Sequence, residues 1–297
     1  MESKRGVVGL AVVIALLATT AASVGLFRVG GVGRTAFQTL RGDTALIYGE
    51  GLYRHDTVFV GSGNRGVDAT ILFVGVPLLI VAVFVYSRTH RIGRLVLLIP
   101  MAFLAYAYMW LATGAAYNEL FLLYVVLFSA SFYGFVTLFA RSVSDRPEAD
   151  HVARLPRRGL AALLLASGVL TLCVWVEPVA SALAAGRAPD LLDSYTTLVT
   201  YAVDLALITP ATVLAAGLIL RRRWLGYVIA IPLLGLLAVL LPQIVSQTAF
   251  QLRAGIELTP AQIAGPVAGF AILGLIALGF LIVLGSRLAR NPGFRQR

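Results

Sequence analysis

The sequence predicts an all-α, polytopic bundle of about eight transmembrane helices with both termini in the cytoplasm, and three observations carry that reading. The first is composition: 59% of the 297 residues are hydrophobic and only 13% are charged, against roughly 25% charged in a soluble domain. The second is spacing. Uncharged stretches run over 6–27, 69–87, 95–118, 120–140, 159–176, 224–252 and 258–286, and an eighth, 196–220, is broken only by Asp204. Most reach the roughly 20 residues that a helix needs to cross the hydrocarbon. The third is charge. With the N-terminus inside, 17 of the 24 Lys and Arg residues fall in alternate segments, as the positive-inside rule requires. They run from Lys4 and Arg5 through the inner loops to Arg287, Arg290, Arg295 and Arg297. The net charge of +10 is therefore a threading signal. No basic, aromatic-interleaved soluble module is present, so no nucleic-acid partner is expected.

The helices are predicted at about 6–27, 69–87, 95–113, 120–140, 159–176, 196–220, 225–248 and 262–286. The first resembles a secretory signal in its basic start and in Thr20-Ala21-Ala22. Its uncharged run exceeds an h-region of about 7–15 residues, so an uncleaved span is expected. Between it and the second helix lies one long outer loop, 28–68, long enough to carry structure of its own. It contains "GSGNRG" at 61–66, a literal G-x-G-x-x-G. A dinucleotide fingerprint needs a strand before it, a soluble helix after it and an acid about 20 residues on. Here a membrane span follows, so NAD is not expected and the glycines are read as a tight approach to the membrane surface. Asp68 then stands near the start of the second helix, where a carboxylate complements the helix dipole. "RGD" at 41–43 is read as ordinary loop sequence.

Helix three ends in "AYAYMWLATGAAYNE". Tyr106, Tyr108, Trp110 and Tyr117 are expected to form an interfacial aromatic belt, and Asn118 and Glu119 to open helix four. The inner segment 141–158 mixes both signs with two prolines and divides the chain into four helices plus four. "VDATILFVGVP" at 67–77 and "VDLALITP" at 203–210, each in the second helix of its half, allow a parallel internal repeat. Cys173 is the one cysteine, so no intrachain disulfide forms. His55, His90 and His151 all fall in predicted loops, which leaves no haem ligation between helices. No metal-binding spacing and no cofactor motif is recognised.

Polar groups within a span are costly and are functional candidates by default. Asp204 is the acid deepest in a predicted span. Thr197, Thr200, Tyr201 and Asp204 share one helical face by spacing, and Pro210 is expected to free a carbonyl nearby, as in interrupted transporter helices. A structural Asp204, bonded to a Tyr or paired with an Arg, is the competing reading. Gln243, Gln247 and Gln251 form a stripe at the outer end of helix seven, where interhelical hydrogen bonding is expected. In the long loop, Glu50, Arg54, His55 and Asp56 offer a carboxylate, a cation and a tunable base. They are read either as a salt-bridged cap or as acid–base groups.

The segments "GLYRHDTV", "RGVDATILFVGVPLL" and "AYNELFLLYVVLFSASFYGFV" resemble blocks of a family of uncharacterised prokaryotic multi-pass membrane proteins, mainly over residues 50–140. The resemblance implies a membrane fold in a prokaryotic plasma membrane and no activity. From the residues, the expected function is a transporter-like or small-molecule-binding protein, with the bilayer as its surroundings. An outward polar pocket would take a small polar or cationic ligand. Its candidate residues are Asp204, Tyr201, Thr200, Gln243, Gln247, Glu119, Asn118, Glu50, Arg54, His55, Asp56 and Asp68. The alternatives are an enzyme acting at the outer leaflet through loop 28–68, and an accessory or scaffold subunit without a ligand.

Overall fold

The structure, a computed structural model, describes residues 4–290, without the side chains of 261–267; Arg295 and Arg297 lie outside the described residues. Among these, eight helices are long and apolar enough to cross a membrane: α1 (Lys4–Phe27), α2 (Val58–Arg88), α3 (His90–Thr113), α4 (Phe121–Ser144), α5 (Arg158–Ala184), α6 (Val199–Leu220), α7 (Trp224–Arg253) and α8 (Pro260–Ala289). The protein is a multi-pass helical bundle. Large apolar side chains on its outside, such as Phe73, Phe84, Leu122, Leu172, Leu207 and Ile282, are well exposed. That surface is stable only where the solvent is lipid.

Four helices, α2 to α5, extend past an end of their uncharged stretch by a turn or more, since caps and terminal charges sit comfortably in the headgroups. The largest difference is in α2. Its uncharged run begins at 69, yet the helix starts at Val58, with the Thr57 hydroxyl accepting from the Val60 amide. The outer loop is therefore 28–57, and "GSGNRG" is helical. At 31 and 30 residues, α2 and α7 are each about 45 Å long, against about 30 Å of hydrocarbon. Each exceeds that thickness by about 15 Å.

The glycines of α2 explain how it meets α7. A Cβ on Gly66 would stand 2.5 Å from the Cα and backbone nitrogen of Gln247, and one on Gly63 would meet the Gln251 amide at 3.2 Å. Gly63 and Gly66 thus form the flat face on which α7 lies, as small residues do where membrane helices pack closely. Gly61 makes room for the Tyr48 ring. The Gln251 amide completes the contact by donating to the Phe59 carbonyl at 3.3 Å.

Segment 28–57 folds as a cap. Its hairpin pairs β1 (Thr35–Gln38) antiparallel with β2 (Thr44–Ile47), with Thr35 opposite Ile47. Gly51 donates to the Gly30 carbonyl at 2.7 Å and Gly33 to the Gly49 carbonyl at 3.2 Å. Gly31 and Gly49 have positive φ, and a side chain on either would strike the facing backbone.

Both second spans contain a π-turn ending two residues before a proline: Ile71–Gly75 before Pro77, and Asp204–Ile208 before Pro210. Proline has no N–H and crowds the carbonyl four residues earlier. The ladder widens by one residue, so that Val76 bonds to Ile71 and Thr209 to Asp204. A π-turn, not an interruption, thus absorbs Pro210, and the carbonyl of Asp204 itself is occupied. Thr197 lies before the start of α6, so it does not share the Asp204 face.

In the first half α1 packs on α2 and α4, α2 on α3, and α3 on α4; in the second, α5 packs on α6 and α8, α6 on α7, and α7 on α8. The order of neighbours is the same. α7 joins the halves by lying against α2 and α3.

At the inner end, buried Arg94 pairs with Asp145 at 2.6 Å, and Arg91 reaches the same oxygen at 4.0 Å. Asp145→Ala is expected to cost about 3 kcal/mol, because it strands a buried cation. Thermal unfolding in detergent checks this; an unchanged melting temperature would show that water already solvates Arg94.

Candidate functional site

The outer half of α2 is a polar spine inside the bundle. Ser62, Asn64, Asp68 and Thr70 are all buried. Asp68 was expected near a helix start. Because α2 begins at Val58, it stands instead almost three turns in, fully buried. The Tyr53 hydroxyl, reaching down from the cap, donates to Asp68 Oδ2 at 2.7 Å and lies 3.3 Å from the Tyr124 hydroxyl of α4. The Tyr108 ring of α3 lies 6.0 Å from that of Tyr124. Gly25 of α1 closes the fourth side, where any side chain would collide with the carboxylate. Burial, reinforced by the adjacent carboxylate, pushes the Tyr53 hydroxyl well above its ordinary range, so it remains a donor.

One turn outward, Asn64 Oδ1 accepts from Trp110 Nε1 at 3.1 Å. Arg65 donates to the Leu26 carbonyl at 2.8 Å and to the Tyr48 hydroxyl at 3.3 Å, and stacks over Phe250. Four buried polar atoms of this region have no protein partner: Asp56 Oδ2, Asn64 Nδ2, Arg65 Nε and Asp68 Oδ1. An orphaned buried polar atom costs about 1–3 kcal/mol, so a cluster of them marks where water or a ligand belongs.

Asp56 sits in the cap above, 1% exposed. Its Oδ1 accepts from the Ala116 amide at 2.7 Å and from the Tyr195 hydroxyl at 2.6 Å, which latches the cap to the outer loops of both halves. Asn118, also buried, donates to the Ala116 carbonyl at 3.3 Å and accepts from the Leu120 amide at 3.0 Å. Polar contacts also run from Tyr124 through Tyr53 to Asp68. Burial raises the Asp56 carboxyl to about 6, against the opposing pull of Tyr195 and Ala116. The folded state thus holds a proton on Asp56 that the unfolded chain has released between about pH 4 and 6. Asp56 contributes stability that is present below pH 4 and lost as pH rises through 6, up to about 3 kcal/mol. Asp56→Asn is expected to flatten this part of the melting-temperature profile. An unaltered slope in the variant would assign the titration to another group.

The remaining loop candidates diverge. Arg28 and Arg54 both pair with Glu119, at 3.3 and 2.7 Å. The hydrogen bond from Arg54 first, and the charge of the two cations, hold the Glu119 carboxyl below its ordinary range. His55 is exposed and takes a hydrogen bond from Arg54 at 3.2 Å, while Glu50 is exposed. Asp56 turns inward, so these four groups do not converge.

Asp204 is held by two neutral donors, Tyr106 at 2.8 Å on Oδ1 and Trp175 Nε1 at 2.9 Å on Oδ2. Trp175 also packs on Tyr201 at 4.2 Å. Asp204 brackets α3, α5 and α6 with both oxygens satisfied, and Thr200 is half-buried beside Tyr201. Gln243 and Gln247 are half-buried on α7, Gln247 against Gly66. Of the expected aromatic belt, Tyr117 alone is well exposed. Tyr106, Tyr108 and Trp110 hydrogen-bond to Asp204, the Ala18 carbonyl and Asn64.

Sequence reasoning missed Tyr53, Asn64, Arg65, Tyr124 and Tyr195. A signal existed for two of them: Asn64, Arg65 and Asp68 are spaced as one helical face, behind a Thr57 cap. Tyr53 and Tyr195 come from irregular segments and carried none.

The fold and this capped polar spine define a multi-pass membrane protein with a structured extramembrane end. Compared with known proteins, the chain matches no family model, no curated protein and no solved structure.

Proposed function

We propose that the chain is a transporter-like, small-molecule-binding protein of a prokaryotic plasma membrane, with its polar site beneath the outer cap and Asp68 as its charge centre. The observation behind this is the set of orphaned buried atoms on Asp56, Asn64, Arg65 and Asp68. Two are acceptors that call for donors, and two are donors that call for an acceptor. A small polar or cationic molecule carrying both kinds of group complements them. Asp204 is the weaker candidate for this role because its carboxylate is already satisfied. The repeated order of neighbours supports a four-plus-four repeat, with Asp68 and Asp204 on corresponding helices.

Thermal-shift titration of the purified chain with choline, glycine betaine, free amino acids and polyols tests the proposal. At least one should stabilise the protein saturably, and Asp68→Asn should abolish that shift while Asp204→Asn keeps it. A shift lost only in Asp204→Asn would move the site to α6. A panel without any saturable shift would favour a scaffold without a ligand.

A further inference from the structure

The inner end holds a second site of opposite sign. Tyr227, in the first turn of α7, is 1% exposed, and its hydroxyl has no hydrogen-bond partner. The charged groups acting on that hydroxyl are Arg157, Arg222 and Arg287. They come from three places: the start of α5, the turn between α6 and α7, and the last turn of α8. Among the described residues, no acid pairs with any of them. Arg287 is fixed by a hydrogen bond to the Arg154 carbonyl. Arg222 adopts a positive φ of 55°, a conformation glycine would take more cheaply.

The helix ends add to this field. α5 and α7 both begin here, capped by Arg157 and Arg223 without a side-chain hydrogen bond, and neither has an acid in its first turn. Their positive dipole ends attract an anion. The positive-inside rule accounts for arginines on this face. It does not account for a buried hydroxyl left unpartnered in the field of three of them.

An apolar trough of about 220 Å³ lies at the same depth between α3, α7 and α8, lined by Ile92, Leu95, Ile231, Leu284 and Leu288. Ile231 is one turn deeper than Tyr227 on α7, and Leu284 and Leu288 flank Arg287 in sequence. A cluster of arginines and an apolar trough on the face assigned to the cytoplasm match one ligand class. We propose that Arg157, Arg222, Arg287 and the Tyr227 hydroxyl bind the headgroup phosphate of an anionic phospholipid of the inner leaflet, with an acyl chain in the trough. Basic pockets between helices on this side are suited to such headgroups.

The full chain, reconstituted in nanodiscs of phosphatidylcholine alone or mixed with phosphatidylglycerol, provides the test. Phosphatidylglycerol should raise the melting temperature and be retained in native mass spectra, and inorganic phosphate should do neither. Replacing Arg157 and Arg222 by Gln should weaken retention about fivefold per arginine, with the melting temperature in phosphatidylcholine unchanged. Tyr227→Phe, which removes only the hydroxyl, should weaken it without loss of fold. Equal stabilisation by both lipids, or undiminished retention in the variants, would overturn the proposal. Equal stabilisation by inorganic phosphate would overturn the lipid assignment and leave a free-anion site.

Discussion

Gly66→Leu is expected to prevent stable folding, while Gly217→Leu on α6 is expected to be nearly silent. At Gly66 the first side-chain carbon already meets the backbone of Gln247 at 2.5 Å, whereas nothing lies within 4 Å of a Cβ at Gly217. The Gln247 backbone belongs to a 30-residue helix and cannot swing aside like a side chain. Either α2 and α7 separate along their outer halves, or both bend. Overpacking a core costs typically 1–3 kcal/mol. A clash with backbone should exceed that, against a total stability of about 5–15 kcal/mol. Yield of monodisperse protein and melting temperature in one detergent measure the difference. Similar losses at both positions would mean that helix propensity, not the α2–α7 contact, governs the effect. Gly63→Ala should fall between them, since its Cβ meets only the flexible amide ends of Gln251 and Gln247, at 3.2 and 3.8 Å.

Asp68→Leu is expected to destabilise the protein strongly, and Asp68→Asn to spare the fold while removing ligand binding. Leucine takes the carboxylate acceptor from the Tyr53 hydroxyl and leaves it only Tyr124 at 3.3 Å, which costs about 1–3 kcal/mol, and it presses on Gly25, which lies against the Asp68 side chain. Asparagine keeps an oxygen for Tyr53 and a similar shape, but it has no charge and replaces one acceptor with a donor. At Asp204 the contrast is expected to differ. Asparagine there can keep both bonds, its Oδ1 accepting from Trp175 Nε1 and its Nδ2 donating to the Tyr106 hydroxyl oxygen, so the fold and the ligand-induced shift should both survive. Melting temperatures of the three variants, read beside the thermal-shift titration, separate the two carboxylates. If Asp68→Asn melts far below wild type and still binds a ligand normally, Asp68 is a structural residue.

The sequence by itself determined the class and the number of spans, and it assigned their threading. Those follow from one-dimensional quantities: the length of uncharged runs measured against a bilayer, and the alternation of arginines between loops. It also located the polar material on the outer side, and the divergence of His55 and Asp56 follows from their adjacency. The α2 start was half legible. Thr57 is a capping residue, but a glycine-rich, polar turn has low helix propensity, and it is helical here because α7 supplies a flat surface to pack on. What Asp68 and Asp204 do was decided only by tertiary structure. Both are acids in the second span of a half. Asp204 has two donors, one from α3 and one from α5; Asp68 has one donor from the cap and an oxygen left open. Those partners lie from 15 to 98 residues away in sequence, and no local pattern encodes which of them arrive. Composition and periodicity report how a segment meets its solvent. Which oxygen remains unsatisfied depends on how eight such segments and a cap meet one another.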